Sequence, residues 1–150
     1  MLATSLLADG HQVRGTTREP GRVGEIAAVG VEPLVADPDR VATLMPALEQ
    51  VTVAVILLGC AAGSQEQLAT LHGSRLEMLL TKLVDTTVRA VVYEATGTVP
   101  AAILAAGATR VSAFARRSHA GGELLDADPT ASQEWLQAAL DAVRMALAPR

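Results

Sequence analysis

Residues 51–59 of this chain are VTVAVILLG, and this apolar run decides the fold. The continuous apolarity of Val51 to Leu58 predicts a strand buried on both faces, which is typical of parallel sheets. Small residues follow as far as Gly63 and predict an exit loop. Even extended to Gly63, the run is shorter than the ~20 residues that a membrane helix needs.

Strand and helix patterns alternate on both sides of this run. Strands are predicted at residues 12–17, 31–36, 51–58, 88–95 and 122–126. Helices are predicted at residues 2–9, 20–28, 40–49, 64–84, 100–116 and 130–147, with Gly10 and Gly30 as C-caps and Asp39 as an N-cap. This alternation, without hairpin signals or repeats, favours a single α/β domain over residues 1–150, built on a doubly wound, mostly parallel sheet.

Composition excludes several classes of function. The net charge of −4 and the pI near 5.3 argue against a nucleic-acid partner. Cys60 is the only cysteine, which excludes an intrachain disulfide and a cysteine metal site and favours a reducing cytoplasm. The first residues lack the basic region of a secretory signal, so neither export nor a membrane partner is expected.

Several single residues have an ordinary structural interpretation. His11, His72 and His119 are scattered over unlike elements, so we expect surface residues and no metal site. Cys60 has no cationic neighbour in sequence that would stabilise a thiolate, and a packing role is favoured over a reactive thiolate. Trp135 lies in the last predicted helix with apolar neighbours and is expected to pack in the core.

Two stretches carry a resemblance to a known family. They are residues 6–18, LLADGHQVRGTTR, and residues 88–97, VRAVVYEATG. With the order of elements, they resemble the NAD(P)-binding Rossmann domain of the extended and atypical short-chain dehydrogenases, the NAD-dependent epimerase/dehydratase type. The resemblance covers most of the chain.

The resemblance implies positions for a cofactor site. Thr17 and Arg18 would read the adenosine ribose, and Asp37 would lie near the adenine. The turn of Gly59, Cys60 and Ala61 would lie beside the ribose and pyrophosphate. Thr96 occupies the family's catalytic Ser/Thr position.

Residue chemistry leaves alternatives at three of these positions. The Arg18 guanidinium can clamp the 2′-phosphate of NADP, or it can be a solvated surface arginine beside Glu19. Asp37 can accept from the adenine amino group or only organise its Asp-Pro-Asp turn. Thr96 can hydrogen-bond a substrate or serve as a turn residue.

The departures from the family concern its chemistry. No G-x-x-G-x-x-G or G-x-G-x-x-G occurs in these residues, so the backbone cradle for a pyrophosphate is not among them. Binding of NADP or NAD is therefore conditional on a phosphate loop supplied from elsewhere. The catalytic Tyr-x-x-x-Lys is also not found, since Tyr93 is followed by Gly97 and the only lysine is Lys82.

The first predicted element of this chain is a helix, at residues 2–9, whereas a Rossmann domain begins with a strand. In the strand order 3-2-1-4-5-6 the first strand is central, and it would lie between the strands at residues 12–17 and 51–58. Three explanations are open: the start codon is placed too late, another chain supplies the strand, or the two flanking strands pair directly. An incomplete sheet also favours a homo-oligomer.

Two functions follow from the sequence. The first is an NAD(P)-binding protein of the oxidoreductase or epimerase type, leaning to NADP and lacking the usual Tyr/Lys pair. The second is a non-catalytic sensing or protein-interaction module that kept the fold and has lost cofactor binding, because function resides in sites and not in folds. The sequence does not decide whether the chain is an enzyme, and it identifies no substrate.

Overall fold

Parallel strands and helices alternate along the chain in the computed structural model, which describes residues 1–150. The strands are β1 (Arg14–Thr17), β2 (Glu32–Val35), β3 (Val53–Ile56), β4 (Ala90–Glu94) and β5 (Gly121–Leu125). The α-helices are α1 (Leu2–Ala8), α2 (Val23–Ala28), α3 (Gln65–Thr70), α4 (Leu76–Leu83), α5 (Ala101–Ser118) and α6 (Ser132–Leu147). The predicted order of elements is confirmed, with strands shortened by one or two residues at most ends.

The strands form two separate parallel groups. One group is β1 and β2, and the other is β3, β4 and β5 in that order. No backbone hydrogen bond joins β1 to β3, so direct pairing of these two strands, one of the three explanations above, is wrong. β1 and β3 each have one edge without a strand, and we call the region at these two edges the sheet gap.

The free edges expose alternate peptide groups. Along a parallel strand, alternate residues direct their N–H and C=O groups to opposite sides. The carbonyls of Val13 and Thr17 accept from the N–H groups of Glu32 and Ala36, so Val13 and Thr17 face β2. Arg14 and Thr16 therefore point their N–H and C=O groups toward the sheet gap. By the same alternation Val53 and Val55 of β3 point theirs away from β4.

The prediction that the run at residues 51–58 is buried on both faces is wrong. Val53 and Val55 are only half-buried, and Leu57 is 41% exposed. Strand β4 is the one buried along its whole length. The physical reason is position, because β4 has a strand on each side whereas β3 borders the sheet gap.

Two helical layers cover the larger sheet. On one face, Ala90 and Val92 of β4 pack with Leu6 of α1 and Val143 of α6. On the other face, Val91 and Tyr93 pack against side chains of α4 and α5, namely Leu80, Leu83, Val111 and Phe114. Successive residues of a strand point to opposite faces, so β4 anchors both layers.

Local signals account for most helix ends. Gly10 ends α1 with a φ of +89°, a conformation that glycine adopts without strain. Ser64 begins α3 through a capping box with Gln67. The predicted helix at residues 64–84 is present, but a π-helical turn at Leu71–Arg75, distorted at Gly73, divides it into α3 and α4.

The predicted helix at residues 40–49 is wrong in type. Residues Val41–Leu48 form a 3-10 segment containing Pro46, which has no N–H to donate. Asp39 does not cap it. Instead, Asp37 Oδ1 accepts the Asp39 N–H at 2.9 Å, so Asp37 organises its own turn.

We predict that amides at the sheet gap exchange with solvent faster than those of β4. By NMR-detected hydrogen exchange, Val53 and Val55 should exchange much faster than Val91 and Val92, because only the latter pair lies between two strands. Equal protection of the four valines would contradict the open edge.

Candidate functional site

The strand order reverses at the sheet gap. In one group the chain runs from the strand at the gap, β1, to the outer strand β2. In the other group it runs from the strand at the gap, β3, through β4 to the outer strand β5. In open α/β sheets, ligands bind at the carboxyl ends of the strands at such a reversal. The loops that leave β1, β2, β3 and β4 are therefore the candidate site.

Thr17, Arg18 and Asp37 come together on the β1 side. The Arg18 Nε lies 3.4 Å from Asp37 Oδ1, and its Nη2 lies 3.6 Å from Asp39 Oδ2. The Arg18 side chain is half exposed and can reach a ligand. Thr17 Oγ1 accepts the N–H of Glu19 at 3.1 Å and so stabilises the turn after β1.

Gly59, Cys60 and Ala61 lie on the β3 side, where backbones approach closely. A Cβ at Gly59 would collide with the carbonyl oxygen of Thr96, and the Gly59 carbonyl accepts the Val99 N–H at 3.0 Å. Glycine is therefore required at this position. Cys60 is exposed, so the packing interpretation of its thiol is wrong; it lies in the loop beyond the strand and not in the core.

Thr96 follows β4 at the same edge of the sheet. Its Oγ1 donates to Asp126 Oδ1 at 3.3 Å, which ties the loop after β4 to the end of β5. Thr96 is half-buried and lies in one of the loops at the point where the strand order reverses.

The structure brings the two sides near each other at a small recess. Pro38, which follows Asp37, and Leu58, which precedes Gly59, both line it. The other lining residues are mainly apolar: Ile56, Leu71, His72, Arg75, Leu76, Leu79 and Tyr93. A second recess, lined by Glu49, Gln50 and Thr87 among others, lies where β3 and β4 begin, at the opposite edge from the candidate site.

His72 is buried, and its prediction as a surface residue is wrong. It is 1% exposed, because the π-helical turn directs it inward against β4. Its Nε2 lies 3.1 Å from the Leu58 carbonyl oxygen, and its Nδ1 lies 2.7 Å from the Tyr93 hydroxyl. A carbonyl only accepts, so Nε2 carries the proton and Nδ1 accepts from Tyr93. His11 and His119 are exposed, as expected.

Burial sets the protonation of this pair. It lowers the pKa of His72 below 6.5, against the opposing effect of the hydrogen bond to Leu58. Burial also raises the pKa of Tyr93 to about 12, against the charge of Arg110 and with a contribution from Glu94. A neutral imidazole and a protonated phenol fit the hydrogen bonds observed.

Glu94 and Trp135 form a polar contact that sequence reasoning missed. Glu94 is 5% exposed, and its two oxygens accept from Gly59 N at 2.9 Å and from Trp135 Nε1 at 3.0 Å. Trp135 also packs against the core on the α6 face, as predicted. The signal in the sequence was a carboxylate inside the apolar run of residues 88–95, which needs buried donors.

Comparisons with known proteins identify the fold. No family profile matches the sequence, and no curated protein matches it. The crystal structure of gox2253 superposes with a TM-score of 0.65 at 19% identity, over 82% of this chain and 46% of that protein. The triphenylmethane reductase of Citrobacter sp., complexed with NADP(H), gives 0.61 at 16% identity, over 83% of this chain and 44% of the reductase.

The chain thus spans less than half the length of these neighbours. Their likeness, with the parallel strand order, confirms that this chain has a Rossmann-like α/β fold. None of its helices combines the length and the apolarity needed to cross a bilayer.

We predict that titration of His72 makes the fold less stable in mild acid. Its pKa is lower in the folded than in the unfolded chain, so the unfolded chain gains a proton first as pH falls below about 6.5. The melting temperature should fall more between pH 7.5 and 5.5 for the wild type than for His72→Gln. His11→Gln, at an exposed position, should keep the wild-type dependence; equal slopes in all three proteins would refute the assignment.

Proposed function

We propose that this chain is the NAD(P)-binding part of a reductase-like protein. The observation that carries the proposal is that the candidate residues on both sides of the sheet gap lie where the strand order reverses, at the carboxyl ends of β1 and β3. The NADP(H) complex of the Citrobacter enzyme, which has a similar fold, supports this choice of ligand.

The two sides of the gap suit different parts of a dinucleotide. Arg18 and Asp37 offer a cation and a carboxylate at the adenosine end. The loop of Gly59, Cys60 and Ala61 at the end of β3 would lie beside the ribose and pyrophosphate, as the family resemblance implies. A phosphate-binding glycine loop is not among these residues, so the proposal requires that a loop from outside them completes the cradle.

A preference for NADP is part of the proposal. The guanidinium of Arg18 is half exposed, and a guanidinium can bind a 2′-phosphate through two hydrogen bonds. Asp37 and Asp39 also lie within 3.6 Å of it and would repel that phosphate, so binding requires Arg18 to move away from them. This cost would reduce the margin between NADPH and NADH.

The second candidate function is a non-catalytic sensing or protein-interaction module that has lost cofactor binding. Tyr93 is the only tyrosine; it is fully buried, and its hydroxyl donates to His72. Lys82 is the only lysine and is exposed in the last turn of α4, and it does not line the recess at the site. The proton-transfer pair of the resembling family therefore has no counterpart, which favours a sensing or interaction role over chemistry.

We predict that NADPH raises the melting temperature of the chain. A ligand that binds only the folded state stabilises it by about 2.7 kcal/mol at 100 times its Kd. Thermal unfolding should be measured with NADPH, with NADH and without cofactor. No shift with either nucleotide at millimolar concentration would overturn the proposal and would favour the second function.

We also predict that Arg18→Ala weakens NADPH binding about tenfold and leaves NADH binding unchanged, since a hydrogen bond to a charged group contributes about 1.5 kcal/mol or more. The matched control is Arg22→Ala, because Arg22 is an exposed arginine of the same segment that pairs only with Glu25. Equal losses for the two nucleotides would refute a 2′-phosphate contact.

A further inference from the structure

One peptide unit at the end of β3 is held at both of its polar atoms. The carbonyl oxygen of Leu58 accepts from His72 Nε2 at 3.1 Å, and the N–H of Gly59 donates to Glu94 Oε1 at 2.9 Å. These two atoms belong to the same planar peptide group. Fixing both of them fixes the orientation of that plane where the chain leaves the strand.

The two side chains reach this peptide from opposite faces of the sheet. His72 is held by Tyr93, and Tyr93 packs in the cluster against α4 and α5. Glu94, the next residue of β4, is held by Trp135 of α6. Consecutive residues of one strand therefore connect the two helical layers to the same neighbouring peptide.

Burial makes the loss of any of these hydrogen bonds energetically costly. His72, Tyr93 and Glu94 are each at most 5% exposed, so a lost partner is not replaced by water. Apolar residues would fill the same space without that cost. Two buried side chains instead bond one peptide, each is held by a further polar side chain, and that peptide begins the loop of Gly59, Cys60 and Ala61.

We propose that His72, Tyr93, Glu94 and Trp135 act as positioning residues that set the Leu58–Gly59 peptide, and with it the cofactor-side loop at residues 59–63. The relevance of this peptide clamp to binding rests on the proposed function. The clamp also connects the start of α6 to the loop, since Trp135 lies in the first turn of that helix. Neither Glu94 nor Trp135 needs to touch the ligand for this role.

Glu94→Gln tests the clamp because an amide carries one acceptor oxygen where the carboxylate carries two. The new side chain can accept from Gly59 or from Trp135, and its NH₂ group then opposes the other donor. We expect faster hydrogen exchange at the Gly59 amide and NADPH binding weakened about tenfold. Glu134→Gln, at an exposed neighbour of Trp135 on α6, should change neither.

The double variant Glu94→Gln/Trp135→Phe supplies the decisive comparison. Phenylalanine keeps an apolar ring and removes the indole donor, so the NH₂ group introduced by Glu94→Gln no longer faces another N–H. Gly59 protection and NADPH affinity should therefore recover toward those of Trp135→Phe alone, a coupling that independent damage to the fold would not produce. Strictly additive losses would overturn the proposal.

Two further results keep the test decisive. If Glu94→Gln does not fold, Trp135→Phe alone should still speed exchange at Gly59, because Glu94 loses one of its two anchors; unchanged exchange would refute the clamp. If the wild type does not bind NADPH, the proposed function fails, and Gly59 exchange alone then decides whether the clamp exists.

Discussion

The fold depends on β4, the one strand with parallel neighbours on both edges and apolar helices on both faces. Its five residues are all buried, and the two main clusters of the core meet on its alternate side chains. Position in the sheet, rather than hydrophobicity alone, decides this burial. Residues 51–58 are more apolar in sequence, yet β3 remains half exposed because one of its edges has no strand.

The same constraint explains the site. Loops at the carboxyl end of a parallel sheet are stable only when their peptide groups find partners, and at the end of β3 those partners are side chains. Tyr93 and Glu94 lie on opposite faces of β4 and connect both helical layers to one turn. On the β1 side, Arg18 and its two carboxylates are more exposed and are held by ion pairs and by the turn at Asp37.

The sequence was sufficient for the order of elements, the parallel sheet and the position of the sheet gap, because periodicity and glycine caps are local signals. It was insufficient where the outcome depends on distant neighbours. The scattered histidines predict surface positions, but the π-helical turn directs His72 onto Tyr93. For Glu94 the only signal in the sequence is a charged residue within a buried strand. The prediction of an α-helix at residues 40–49 capped by Asp39 is wrong because Pro46 and the turn at Asp37 outweigh the capping pattern. The roles of Thr17, Arg18, Asp37, Gly59, Cys60, Ala61 and Thr96 in binding remain predictions.

The division of the sheet also divides the stability of the molecule. No fully buried member of the three core clusters lies between Leu6 and Ile56. The lobe containing β1 and β2 is held instead by isolated buried residues such as Val31 and Val41, and by Arg14, which donates to the carbonyls of Ala47 and Glu49. Such a lobe can open as a unit while β3, β4 and β5 stay folded. A dinucleotide bound as proposed would contact both parts and stabilise the closed state. Its occupancy would then determine how readily a protease cleaves the lobe.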